Sequence, residues 1–271
     1  MRQRNRAWLA PAAALALVIT TAGNAFATVV PPSGQVLTSS VAPSFYSYAT
    51  SVPYWSVIAE NPQQPSDYDL YLYNSAGAEV GYSDYGVGYT DFVAVDSNSG
   101  TEGYQNWFAT VTRYAGSGPY ALQAQYGATI TTIPTPTHQG TTGAGDPDLA
   151  FLSLQSPWVV NISDIYLTAG ESFWATTTSA ADNMYLLEAN PSNSATFIQG
   201  RSQATNNQHT QVVDGCTLYT AEYTGWHALV IVSDTYPQTT NPGSGIAFGI
   251  HAYNAAQPTS CPMADWPNPT P

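Results

Sequence analysis

The sequence predicts an all-β protein built as two tandem antiparallel, jelly-roll-like β-sandwiches. Three observations carry this prediction. Short runs alternate apolar and polar residues with a period of two, the pattern of half-buried strands. Clusters of Gly, Ser, Asn and Asp separate the runs and supply turns. The second half of the chain repeats, in degenerate form, the order of motifs found in the first.

The chain opens with Arg2, Arg4 and Arg6, an uncharged stretch from Ala7 to Ile19, and the small-x-small site Ala25-Phe26-Ala27. A basic start, an apolar centre and such a site predict a secretory signal peptide over 1–27 and an extracellular location. The first sandwich is expected over 28–127. Within it Leu70 and Leu72 share one face of a strand, Trp107, Ala109 and Val111 share another, and Tyr120, Leu122, Ala124 and Tyr126 a third. Asn74-Ser75-Ala76-Gly77 and Gly116-Ser117-Gly118 read as turns. A Thr-, Pro- and Gly-rich stretch over 128–147 reads as a linker. The second sandwich is expected over 148–254, and a Pro-rich extended tail over 255–271.

The repeat is read from five matches. Tyr48 and Trp55 resemble Tyr166 and Trp174, and Asp69–Tyr73 resembles Asn183–Leu187. Val93–Asp96 resembles Gln211–Asp214, Trp107–Val111 resembles Trp226–Val230, and Gly116–Gly118 resembles Gly243–Gly245. Their nearly constant spacing indicates duplication of one sandwich. It also assigns the ambiguous segment Ala180–Ala189 to a strand rather than a helix. Cys216 and Cys261 are the 2 cysteines. In an oxidising compartment they are expected to bond, which would stabilise the fold by about 4 kcal/mol on the chain-entropy argument.

Charge narrows the function. The 271 residues carry 18 acidic and 5 basic side chains, a net charge of −13, and every basic residue is an arginine. Once the leader is removed only Arg113 and Arg201 remain. Such a chain cannot neutralise phosphates, so nucleic acid is excluded as a partner. The absence of lysine excludes a P-loop. No second apolar run approaches the roughly 18 residues of a membrane span, so no membrane partner is expected after cleavage. Charged residues make up only 8% of the chain, so self-repulsion at low pH is modest and tolerance of acidic medium is expected.

No G-x-S-x-G or H-E-x-x-H occurs, so no catalytic residue is assigned. Calcium is the cofactor that the acidic turns suggest, because Ca²⁺ takes hard oxygens from carboxylates, amides and carbonyls. Asp67 and Asp69, two apart on one strand, and Asp96 in an oxygen-rich turn are the candidate ligands. Tyr71 and Tyr73 lie opposite Leu70 and Leu72, and Tyr82, Tyr85 and Tyr89 fall in a Gly-rich stretch. Exposed rings of this kind suit sugars or extended peptides.

The aromatic opening strand, the Trp-bearing second strand, Ser66-Asp67-Tyr68-Asp69-Leu70-Tyr71-Leu72-Tyr73, the paired strands at Trp107–Thr112 and Tyr120–Tyr126, and the Gly-Ser-Gly turn together resemble the bacterial pre-peptidase C-terminal domain. The resemblance covers about residues 40–127 well and the second block loosely. It implies a β-sandwich of the kind appended to secreted hydrolases, some binding protein or polysaccharide and some binding calcium. The expected function is a secreted, non-catalytic accessory protein for an extracellular polysaccharide or protein polymer, acting beside a secreted hydrolase. Two alternatives stay open: a secreted hydrolase with its site between the sandwiches, and a passive exported or surface structural protein.

Overall fold

The computed structural model describes residues 27–30, 36–40, 44–50, 55–96, 105–129, 148–154, 158–167, 169–170, 172–177, 182–188, 198–204, 210–213, 216–236 and 246–253. Residues 1–26 of the expected leader, most of the expected linker, Cys261 and the Pro-rich 255–271 lie outside them. So does the turn that follows Asp96.

The first half supplies β1 (Thr28–Val29), β2 (Leu37–Ser39), β3 (Ser44–Ala49), β4 (Trp55–Pro62) and β5 (Asp67–Tyr73). It continues through β6 (Glu79–Ser83), β7 (Asp91–Asp96), β8 (Asn106–Ala115) and β9 (Tyr120–Tyr126). Ala128 and Thr129, which the sequence places in the linker, form a short strand, β10. The second half supplies β11 (Asp148–Leu154), β12 (Val160–Leu167), β13 (Ser172–Thr177) and β14 (Asp182–Glu188). Then come β15 (Ile198–Gly200), the single-turn helix α1 (Arg201–Ala204), β16 (Thr210–Val213), β17 (Cys216–Thr220), β18 (Gly225–Ser233) and β19 (Ile246–Tyr253). The fold is all-β, as the alternation predicts, and Ala180–Ala189 contributes a strand. Among the described residues no helix is long and apolar enough to cross a membrane.

Four sheets result. Sheet A has the order β1-β3-β8-β5-β6, sheet B β15-β7-β4-β9-β2, sheet C β10-β12-β18-β14-β16 and sheet D β11-β19-β13-β17. Pairing is antiparallel except for β1 on β3 and β10 on β12. Sheets A and C have the same order when the strands of the two halves are matched in sequence. Sheet D likewise matches sheet B without β15. In this topology β6 answers to β16 and β7 to β17. The sequence match of Val93–Asp96 to Gln211–Asp214 therefore joins strands that are not topological counterparts. The offset slips because the second half carries an extra segment between β14 and β16, and that segment holds β15 and α1.

The extra segment reaches back into the first half. Ile198, Gln199 and Gly200 of β15 pair with Val95, Ala94 and Val93 of β7. Ile198 packs on the first core, which Tyr68, Leu70, Leu72, Trp107, Ala109 and Val111 fill from sheet A and Ile58, Val93, Val95, Tyr120, Leu122 and Ala124 fill from sheet B. Two glycines permit the approach. A Cβ on Gly200 would sit 1.8 Å from the Tyr82 carbonyl oxygen, and one on Gly81 would sit 2.6 Å from Ile198 Cγ2.

Sheet B is buried on both faces. Its second face presents Trp55, Val57, Ala59, Phe92, Ala94 and Ala121 to Ile162, Tyr185, Leu187, Ala228, Val230 and Val232 of sheet C. This is why every residue of β4 and β7 is buried, whereas β5 alternates. At about 25 cal/mol per Å² of apolar surface, a shared core of this size is a major source of cohesion between the halves. Buried polar pairs cross the same seam. Asn61 Nδ2 donates to Ser233 O at 2.9 Å, and Val159 N and Val160 N donate to Gln123 Oε1 at 2.9 and 3.1 Å.

Candidate functional site

The outer face of sheet A is aromatic. In β5 the period of two sends Leu70 and Leu72 inward and leaves Tyr71 and Tyr73 half-buried outside. Register then builds rows across the strands. Tyr71 stands opposite Tyr82 of β6 on one side and Thr110 of β8 on the other, and Thr110 stands opposite Phe45 of β3. In the next row Tyr73 faces Phe108, which faces Ser47. Successive rows are about 7 Å apart along the strands. The Tyr71 and Tyr82 rings stack with centroids 6.2 Å apart and planes 27° from parallel. Phe108 is 40% exposed and Tyr114, further along β8, is 63% exposed.

Carboxylates rim this face. Burial first, and then the negative charges of Asp69, Asp84 and Glu79, push the Tyr71 hydroxyl well above the usual phenol range. The Tyr73 hydroxyl is pushed up by burial, against a hydrogen bond with Thr110 that lowers it. The face therefore presents neutral rings, edged by oxygen acceptors.

Three of the five tyrosines singled out from sequence, Tyr71, Tyr73 and Tyr82, belong to this face. Tyr85 and Tyr89 do not. They form an edge-to-face pair at 5.3 Å in the loop between β6 and β7. The Arg201 guanidinium lies 4.3 Å from the Tyr85 ring centre and 5.6 Å from that of Tyr89. Their faces thus serve a cation of the same chain. Phe45 and Phe108 were not singled out. The alternation that put Trp107 and Ala109 inside already implied that Phe108 points out, and the pairing of β3 with β8 then places Phe45.

The candidate calcium ligands are dispersed. Asp67 and Asp69 lie on β5, where Asp67 is buried and Asp69 half-buried. Asp96 stands opposite Trp55 at the far end of β7 from Asp91, about 16 Å along the strand from it. Among the described residues no three His, Cys, Asp or Glu side chains converge closely enough to hold a metal ion.

Two further buried acids, Glu60 and Asp91, feel the charges of Asp67 and Asp69. Glu60 stands directly opposite Asp91 in the β4–β7 pair, and both are fully buried. Neither Glu60 oxygen, nor Asp91 Oδ2, has a hydrogen-bond partner among the described residues. Burial, reinforced by Asp91, Asp69 and Asp67, pushes Glu60 well above the carboxylate range. Burial also raises Asp91 to about 7, against the lowering effect of its bonds from Ser83 and Tyr85. On β12, Asp164 is buried and is pushed up to about 8, chiefly by burial, against the lowering effect of a hydrogen bond from the Trp55 backbone.

His227 is buried opposite Glu188, with Nε2 3.0 Å from Glu188 Oε1 and Nδ1 3.0 Å from Gly225 O. Glu188 Oε1 also accepts from Tyr223 N at 2.8 Å. Both ring nitrogens are thus committed within the fold.

No family model matches the chain, and no curated protein matches it. Among solved structures it is similar to the PBSX exported protein XepA, at 8% identity over 83% of each chain with a TM-score of 0.23. It is also similar to a putative secreted protein from Eubacterium rectale, at 8% identity over 78% of this chain and 68% of that one, with a TM-score of 0.16.

Proposed function

We propose that this chain is an exported, non-catalytic binding protein that holds an extracellular polymer on the outer aromatic face of sheet A, with the second sandwich a diverged copy of the first. The observation that carries the reading is the row Tyr82–Tyr71–Thr110–Phe45, with Tyr73 and Phe108 in the row beside it. A flat sheet surface of rings matches the apolar face of a sugar ring, and rim carboxylates accept hydrogen bonds from hydroxyl groups. Polysaccharide is thereby favoured over extended protein. A polyanion is repelled by a chain of net charge −13. The basic-apolar leader supports export, and the Asp69–Tyr73 strand, through its resemblance to pre-peptidase C-terminal domains, supports an accessory role.

Retention on insoluble polysaccharides and on collagen tests the proposal. Tyr71→Ala and Phe108→Ala are each expected to weaken retention about tenfold, the loss of one aromatic contact. Tyr85→Ala serves as the control that leaves this face intact. Absence of retention on every polymer, or equal losses in all three variants, would refute it.

A further inference from the structure

The Glu60–Asp91 pair sits where it can control the contact between the halves. Opposite residues in an antiparallel pair have Cβ atoms about 5 Å apart, and these two carboxyls share the inner face that carries Ile58, Val93 and Val95. The charged groups that act on them come from β5 and α1. Asp67 and Asp69 on β5 act on Glu60, Asp69 and the cation of Arg201 on α1 act on Asp91, and the β9 residue opposite Glu60 is Leu122. Two further acids and one cation cannot compensate two buried negative charges. Three of the pair's four oxygens lack any partner among the described residues.

The fourth oxygen is a mooring. Asp91 Oδ1 accepts from Ser83 Oγ and from Tyr85 N, the latter at 2.9 Å. Tyr85 lies in the loop that runs from Asp84 to Thr90, and the loop is also held from distant parts of the chain. Gly88 N donates to Ser66 O at 3.1 Å, Asp84 N to Ser202 Oγ at 2.7 Å and Thr90 N to Asp234 Oδ1 at 2.9 Å. Arg201 Nη1 donates to Thr90 O and its guanidinium lies on Tyr85. The loop therefore ties the acid pair to α1 and to Asp234 of the second half.

We propose that Glu60 and Asp91 form a proton-operated latch, which holds the 84–90 loop and Arg201 in place while the pair retains a proton and loosens them when both carboxyls ionise. Two charges on adjacent strands inside an apolar core repel each other and draw in water. The route for water is the end of the sandwich that the 84–90 loop closes against the 63–66 turn. Because the folded pair holds protons more tightly than the unfolded chain, its stabilising contribution is complete below the unfolded carboxylate range. It is lost as pH rises through about 7, where Asp91 titrates.

Thermal midpoints of the wild type, Glu60→Gln and Asp91→Asn at about pH 5 and pH 8.5 test the latch, in EDTA and in calcium chloride. The wild-type midpoint is expected to fall by roughly 5–10 °C between the two pH values. Asp164 contributes to that fall, so the difference between proteins is what decides: Glu60→Gln is expected to remove at least half of it. An equal fall in Glu60→Gln and wild type overturns the latch. So does a calcium-dependent rise at pH 8.5 in the wild type that Glu60→Gln abolishes, which would make the pair an ion site. Carboxyl-carbon NMR of the wild type supplies a readout that needs no variant. A Glu60 signal titrating well above the ordinary glutamate range supports the latch, and one inside that range sinks it.

Discussion

Arg201 meets Asp234 edge to edge, Nη1 donating to Oδ1 at 2.6 Å and Nη2 to Oδ2 at 3.0 Å. Arg201 Nε donates to the Tyr185 hydroxyl at 2.8 Å, and Asp234 also accepts from Asn183 Nδ2 at 2.6 Å. The guanidinium is enclosed by the rings of Tyr85, Tyr89 and Tyr185. Burial alone would push Arg201 down, but Asp234 and Tyr185 more than offset it and hold the group firmly charged. One side chain thus ties the loop before β7 to the second half.

Removing the guanidinium leaves Asp234 without its cation in a site only 15% exposed. Arg201→Met is expected to destabilise the chain by about 2–4 kcal/mol, read as a lowered urea midpoint. Arg201→Lys should recover only a minor part, because an ammonium cannot form the two-pronged bond or stack on Tyr85. The double variant Arg201→Met with Asp234→Asn should cost less than the sum of the single changes.

Gly200→Ala places a methyl against the Tyr82 carbonyl, a backbone group that cannot swing aside. Loss of β15 from the edge of sheet B is the expected result, with a cost of more than about 2 kcal/mol and faster amide exchange at Val93 and Val95. Gly77→Ala is a comparison of a different kind: Gly77 has a φ of 78° in a turn with open space around it, so its cost comes from the backbone alone, about 1 kcal/mol.

Two adjacent residues should behave in opposite ways. Trp107 is fully buried and its Nε1 donates to Thr50 Oγ1 at 3.1 Å. Trp107→Ala is expected to cost about 3–5 kcal/mol. Phe108→Ala should cost well under 1 kcal/mol in the same denaturation experiment while weakening polymer retention.

Asp164 gives a pH dependence with a definite sign. Burial raises it to about 8 in the folded chain, and an unfolded aspartate titrates near 3.9. Its protonated form is favoured by folding, so its contribution is complete below about pH 4 and fades as pH climbs through about 8. Asp164→Asn removes that loss. Above about pH 8.5 the variant should melt higher than the wild type, and near pH 5 the two midpoints should converge. Asp164 Oδ1 would lie 2.2 Å from a Cβ on Gly127, so the smaller amide-for-acid change is the appropriate probe.

Much of the fold was legible because its cause is local. The sequence Asp-Leu-Tyr-Leu-Tyr specifies a strand with Leu70 and Leu72 inside and Tyr71 and Tyr73 outside, since successive side chains must point to opposite faces. The same reasoning fails for β4 and β7. Ser56, Ile58 and Glu60 face one core while Trp55, Val57 and Ala59 face another, and no local pattern announces a strand buried on both sides among mixed polar and apolar residues. The outer aromatic face was half legible. Tyr71, Tyr73 and Tyr82 could be named from their strands, but Phe45 joins them only through the register of β3 on β8. Tyr85 and Tyr89 stood out by composition, yet their partner is an arginine more than one hundred residues away.

The sequence by itself determined the all-β class and the inward and outward rows of the first sandwich, because alternation, turn chemistry and side-chain size act within a few residues, and the match between the halves assigned Ala180–Ala189 to a strand. Only the tertiary structure decided that β15 completes the first core, that sheet B is shared between two cores, and that Arg201 finds Asp234 beneath Tyr85. Those outcomes rest on contacts between segments far apart in the chain. Their energy comes from removing apolar surface and charge from water, and that depends on what covers a face rather than on the face itself.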